Sequence, residues 1–139
     1  MQIGEEMLSK LTEFLMSLAV FSGKKIYNDY LGEEIESFSV EPIGTANKIR
    51  SYTDGGKVME YKFKILQRSE YPDNFENTEK FFEQAADELK VCSRNNIFPD
   101  IADDITVIDI SAVSGVIKAD NDFRSAGYYM IFKMIYYVN

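Results

Sequence analysis

Asp100, Asp103 and Asp104 form the densest acidic cluster in the chain, and grouped carboxylates are the ligand set a hard divalent cation takes. Their spacing fits no calcium loop and no turn glycine accompanies them, so a solvated acidic loop between a helix and a strand accounts for them. Glu33, Glu34 and Glu36 have the residue type of a paired-carboxylate acid–base site, but nothing nearby builds a pocket, and a charged loop suffices. Gly55-Gly56 lacks both the lysine–serine continuation and the strand-to-helix setting of a phosphate-cradling loop. Cys92 is the only cysteine and the chain has no histidine. That excludes Ser-His-Asp and Cys-His catalysis and most zinc sites. Cys92 therefore reads as a small buried thiol on a helix, and with no second cysteine nothing asks for an oxidising compartment. Lys133 stands inside an apolar strand pattern, where a lysine of lowered pKa, a snorkelling side chain and an intersubunit ion pair are all open readings. No pattern for a cofactor is found, and the balance points to a structural or assembly subunit rather than an enzyme.

The elements that would position these residues follow from periodicity. Leu8, Leu11, Leu15 and Leu18 recur at helical spacing, widened by Met7, Phe14 and Phe21, and predict a first helix from Ile3 to about Val20. Residues 26–31 suit either a helical extension or a short strand. Ile35 to Ile43 predicts a strand ended by Pro42 and Gly44. Lys48 to Thr53 and Lys57 to Arg68 predict a hairpin about Asp54-Gly55-Gly56. Within it Met59, Tyr61, Phe63 and Ile65 alternate with Glu60, Lys62 and Lys64, which gives one buried and one wet face. A second helix is predicted from Phe75 or Asn77 to Ser93, with Phe82, Ala85, Ala86 and Leu89 inward and Arg94-Asn95-Asn96 as its exit. Ile105 to Lys118 predicts one long strand with Ile108, Ile110 and Ala112 on one side and a bulge at Gly115. Asn121-Asp122 marks a turn, and Gly127 to Val138 predicts the last strand.

The last strand is apolar on both faces, with Tyr128, Met130, Phe132 and Met134 on one and Tyr129, Ile131, Lys133 and Tyr137 on the other. Two helices are few to cover such a sheet on both sides, so one face is expected to meet another subunit. The second helix is expected to cover one face through Phe82 and Leu89, leaving the other to the first helix or to a neighbouring copy. Tyr128, Tyr129, Ile131, Lys133 and Tyr137 are the candidate interface residues. The fold expected is a single α+β domain over 1–139, an antiparallel sheet of about four to five strands flanked by two main helices.

Composition bounds the rest. The chain has 139 residues, 45% apolar and 27% charged, with nine Tyr and ten Phe, which suits one globular domain with a real core. The net charge is −8 and no Lys/Arg cluster is present, which argues against direct binding of nucleic acid. No apolar run of about 20 residues exists to span a membrane, and Glu5-Glu6 stand where a signal peptide would be basic.

The element order carries a resemblance. A leading helix and a hairpin of the Met59-to-Leu66 type precede a loop with Tyr71 and Asp73. A helix with Phe81-Phe82, the connector Ile97-Phe98-Pro99-Asp100 and a strand ending Ile135-Tyr136-Tyr137-Val138 complete it. This order resembles the small minor capsid, tail-completion and tail-terminator proteins of tailed phages and phage-tail-like particles of Gram-positive bacteria, best over Lys57 to Asn139. The resemblance implies a homo-oligomeric ring, six-fold in that family, that caps the tail tube or sheath and offers a surface to a head-completion or collar protein. It implies assembly in the bacterial host cytoplasm followed by residence in the particle, and it brings no catalytic residues. From another class, a small peptide- or ligand-binding module or assembly chaperone fits the same elements. The enzymatic option ranks behind both and would need a metal held by carboxylates such as Asp100, Asp103 and Asp104; lysine chemistry also stays open.

Overall fold

The computed structural model describes residues 3–21, 26–28, 38–70, 75–121 and 125–139. Helix α1 (Ile3–Met16) opens the chain, followed by a single 3-10 turn at Ala19–Phe21. The expected helix is thus shorter by one turn. The Ser17 N–H is shared between the Glu13 and Phe14 carbonyls, and the Leu18 and Phe21 N–H groups then reach back only three residues. This tighter winding turns Phe21 inward, edge-on to Phe38 at 5.6 Å and to Phe81 at 5.5 Å.

The sheet is two long hairpins laid side by side. In the first, β2 (Phe38–Pro42) and β3 (Asn47–Ser51) run in succession along the 14-residue β4 (Lys57–Glu70). In the second, β5 (Ile105–Ala112) and β6 (Ile117–Asn121) run in succession along the 14-residue β7 (Ser125–Val138). β4 and β7 pair antiparallel along their whole length, from Lys57 opposite Val138 to Glu70 opposite Ser125. A short β1 (Ile26–Asn28) adds a parallel edge beside β2, giving the order β1-β2-β4-β7-β5. This is the expected α+β fold, a mainly antiparallel sheet with two helices.

The first hairpin turns through Thr53-Asp54-Gly55. The Gly55 N–H donates to the Tyr52 carbonyl (3.1 Å) and the Tyr52 N–H to the Gly56 carbonyl (2.8 Å). Gly55 alone of the three has a positive φ, 96°, as a three-residue hairpin loop requires. The Asp54 carboxylate accepts from the Gly56 N–H at 3.0 Å.

The long strand expected over 105–118 is divided. At its centre the Val113 and Ser114 N–H groups both donate to the Ile131 carbonyl, and Ser114 Oγ accepts from the Ile131 N–H. Gly115 lies in this break. A second irregularity separates Val107 from Asp109 in the register with β7. The inserted residue changes the phase of the strand, so Ile105, Val107 and Ile110 are buried. Ile108 and Ala112, expected on one side of the strand with Ile110, are both exposed, Ile108 at 48%, while Ile110 is buried.

Helix α2 (Phe75–Arg94) buries Phe82, Ala85, Leu89 and Cys92. It ends in a left-handed cap. Asn96 has φ 58°, the Ile97 N–H donates to the Cys92 carbonyl (2.8 Å) and the Asn96 N–H to that of Ser93 (3.2 Å). Met7, Leu11 and Leu15 of α1 and the inner side chains of α2 enter one core with Phe38, Phe63 and Phe132 of the sheet. The first helix therefore does not cover the second face of β7. Both helices feed the same side. Ile35, Tyr71, Asp73 and Asp122, which entered the sequence argument, lie outside the described residues.

Candidate functional site

Cross-strand partners share a face, so the register between β4 and β7 fixes both faces of the sheet. Tyr61, Phe63 and Ile65 stand opposite Met134, Phe132 and Met130, and all six are buried in the core. The alternate set is Val58 opposite Tyr137, Glu60 opposite Ile135, Lys62 opposite Lys133, Lys64 opposite Ile131 and Leu66 opposite Tyr129. None of these ten belongs to the core cluster. They form an open face packed under no described helix, on which Leu66 is buried and the other nine are half-buried.

The candidate interface residues divide accordingly. Tyr129, Ile131, Lys133 and Tyr137 lie on the open face and are half-buried. Tyr128 is on the other side, 0% exposed, and is core. Its phase along the strand excludes it from the same surface as Tyr129. Phe132 is likewise core. Tyr128 and Phe132 thus point to the core, and Tyr129 and Ile131 to the open face.

Charge gives the open face its pattern. Lys62 and Lys133 stand directly opposite each other with Lys64 two residues along, a basic band in a chain of net charge −8. Like charges in directly opposite positions repel. Lys62 Nζ lies 3.9 Å from Glu60 Oε1, and Lys64 Nζ lies 3.9 Å from Glu41 Oε1 and 5.2 Å from the Tyr129 ring centre. These partly exposed pairs are long and offset little of the repulsion. Lys133 makes no ion pair among the described residues. One row along the strands, Glu60 and Asp109 both pair with Ile135, one from each side, which sets acidic groups beside the basic band. At the far corner Tyr137 leans on Tyr52, ring centres 6.0 Å apart, and covers Gly56. A Cβ on Gly56 would lie 2.7 Å from Tyr137 Cζ and closer still to its hydroxyl.

The other sites suggested by sequence are not assembled. Asp100, Asp103 and Asp104 are all exposed, and no group of acidic, Cys or His residues that could hold a metal occurs among the described residues. The Asp104 carbonyl instead accepts from the Asn139 N–H at 3.0 Å and ties down the end of β7. Cys92 is buried, and burial followed by the nearby Glu88 carboxylate pushes its pKa up, the opposite of what an activated thiolate needs. Gly55-Gly56 is the hairpin turn. Glu33, Glu34 and Glu36 lie outside the described residues.

A groove of about 360 Å³ that sequence did not signal runs between α2 and β5, lined by Asp87, Lys90, Ser93, Asp109 and Ser111 among others. Ser93 closes one side. Its hydroxyl donates to the Ile110 carbonyl and accepts from the Ile110 N–H, both at 3.2 Å. It thereby occupies backbone groups at the edge of the sheet that would otherwise pair with another strand. The signal missing from sequence for both the groove and the basic band is long-range register. Lys62 and Lys64 were legible as wet, and Lys133 as anomalous, but not as neighbours.

No family model matches the chain, and no curated protein is significantly similar to it. No described helix is long and apolar enough to cross a membrane.

Proposed function

We propose that the protein is a structural subunit of a phage tail or phage-tail-like particle, a tail-terminator-like protein that assembles into a ring. The ring would cap the tail tube or sheath and present a head-joining or collar surface. The observation that carries this reading is the open face of the sheet. Tyr129, Ile131, Ile135 and Tyr137 with Val58 make a half-buried apolar and aromatic surface on the two longest strands, outside the core. A face of this kind is half of an interface, and a partner removes its apolar area from water. The domain size and the order helix, hairpin, helix, hairpin resemble those of that family, and six-fold closure comes from the resemblance alone. Assembly in a host cytoplasm and residence in the finished particle belong to the same proposal. Ring closure joins two different patches about a rotation axis.

Native mass spectrometry and light scattering test this reading. A discrete closed oligomer, or one formed on adding tail tube, is the expected result. A strict monomer at high concentration with and without tube would defeat it. The rival reading, a small ligand- or peptide-binding module, would place its ligand in the α2–β5 groove. It predicts a monomer or dimer that co-purifies with a ligand and loses it on Lys90→Ala.

A further inference from the structure

The open face carries a basic band, with Glu41 beside Lys64, next to an acidic row, and the outer face of α2 carries an acidic run, interrupted by Lys80, before a basic end. On the sheet, Lys62, Lys64 and Lys133 adjoin Glu60 and Asp109 one row away. On α2, Glu79, Glu83 and Asp87 occupy exposed positions four residues apart, while Lys90 and Arg94 are exposed near the helix end. The pitches agree. Two residues along a strand span about 6.8 Å, and four along a helix span about 6 Å. Within one chain the two patterns meet at the α2–β5 groove, where Asp87 and Lys90 line the same space as Asp109, while Glu79 and Glu83 are exposed on the side of α2 away from the core.

We infer that the open sheet face docks the outer face of α2 from a second copy of the chain, head to tail. The acidic run of the helix lies over Lys62, Lys64 and Lys133, and its basic end lies over Glu60 and Asp109. Val91, 46% exposed and one turn beyond Asp87, then meets the apolar surface around Ile135. The two patches differ, so the contact is heterologous and propagates until a rotation closes it. Opposed bipolar patterns also fix the direction of the helix, because reversing it sets like charges together. The inference rests on the self-association proposed above and is independent of the tail assignment.

Reciprocal charge reversal tests it. One variant carries Lys62→Glu and Lys133→Glu, the other Glu83→Lys and Asp87→Lys. Each alone is expected to weaken self-association by at least about tenfold in sedimentation velocity, with circular dichroism unchanged. Mixed in equal amounts they are expected to re-form the oligomer with alternating copies, because the acidic sheet of one meets the basic helix of the other. If the reversed sheet does not fold, Lys62→Gln with Lys133→Gln replaces it, and weakened assembly is still required. A wild-type oligomer that withstands the helix reversal, or variants that fail to recover on mixing, would overturn this pairing and leave the ring reading standing. A monomeric wild type would overturn both.

Discussion

Phe132→Ala and Ile131→Ala remove neighbouring side chains from opposite faces of one strand, and their contrast measures how far the chain is finished on its own. Phe132 is fully buried, stacked on Phe63 with ring centres 5.7 Å apart and planes 15° apart, and lies beside the Tyr61–Phe63 stack. Its loss combines transfer free energy with a cavity that a sheet packed under two helices cannot collapse, about 3–5 kcal/mol. Against a typical stability of about 5–15 kcal/mol that is a large fraction, and it corresponds to a fall in Tm of about 10–15 °C for a domain of this size. Ile131 is half-buried on the open face and belongs to no core cluster. Its truncation removes surface that water or a partner can fill, and about 1 kcal/mol or less is expected. Urea titration under dissociating conditions reads both, and native mass spectrometry then reads assembly of the folded fraction. Phe132→Ala lowers the midpoint and leaves assembly of the surviving fold intact. Ile131→Ala does the reverse. Equal destabilisation by the two would mean that the open face is covered within the single chain, and the argument for an interface there would fail.

Further outcomes follow from local geometry. Gly56→Ala forces Tyr137 from its seat and should cost about 1–3 kcal/mol, most of it recovered when Tyr137→Ala is added, which a double-mutant cycle in urea detects. Asn96→Gly relieves the left-handed cap of α2 and should raise stability by about 0.5–1 kcal/mol, whereas Asn96→Ala should lower it by about 1 kcal/mol, both read as Tm shifts. Burial, and for Cys92 also Glu88, raises the pKa of Cys92 and of Tyr136. Both neutral forms are favoured in the folded state, so their contribution is complete below the unfolded pKa values of about 8.5 and 10 and is lost as pH rises through the folded ones. Urea midpoints should hold through neutrality and fall above about pH 9, and Tyr136→Phe with Cys92→Ala should flatten that fall.

The residues that reveal the fold in sequence are those whose partners are close along the chain. Asp54-Gly55 announces its hairpin because the turn is made by those residues themselves, with Gly56 paired to Tyr52 at its base. Phe82, Ala85 and Leu89 announce α2 because helical period is a local property. Alternation along β7 sorted its side chains into the two faces they occupy, which is why Phe132 and Ile131 could be told apart. Ile108 was placed on the wrong side because a bulge changes phase without a compositional mark. The destination of α1 was equally hidden, since an amphipathic helix states that it has a buried face and not which side of a sheet receives it. The basic band depended on the β4–β7 register, a pairing between residues about 70 positions apart that no local pattern encodes.

The Lys62–Lys133 pair is the feature least explained by the needs of a single chain. Directly opposed lysines disfavour the sheet in isolation, and any uncharged polar residue at either position would remove that cost. Glu60 and Glu41 sit at 3.9 Å from Lys62 and Lys64, too loosely and too exposed to offset it. Copies with a net charge of −8 repel one another at long range, and screening confines that repulsion to about 10 Å at 0.1 M salt. Within that distance the local pattern decides. In the docking proposed above, a basic band facing a neighbour's acidic helix would turn the approach of two acidic molecules into attraction at one patch, with repulsion over the rest of their surfaces. On that proposal the same charges that weaken the isolated sheet would favour one mode of association and oppose the others, a way for an acidic protein to assemble without aggregating.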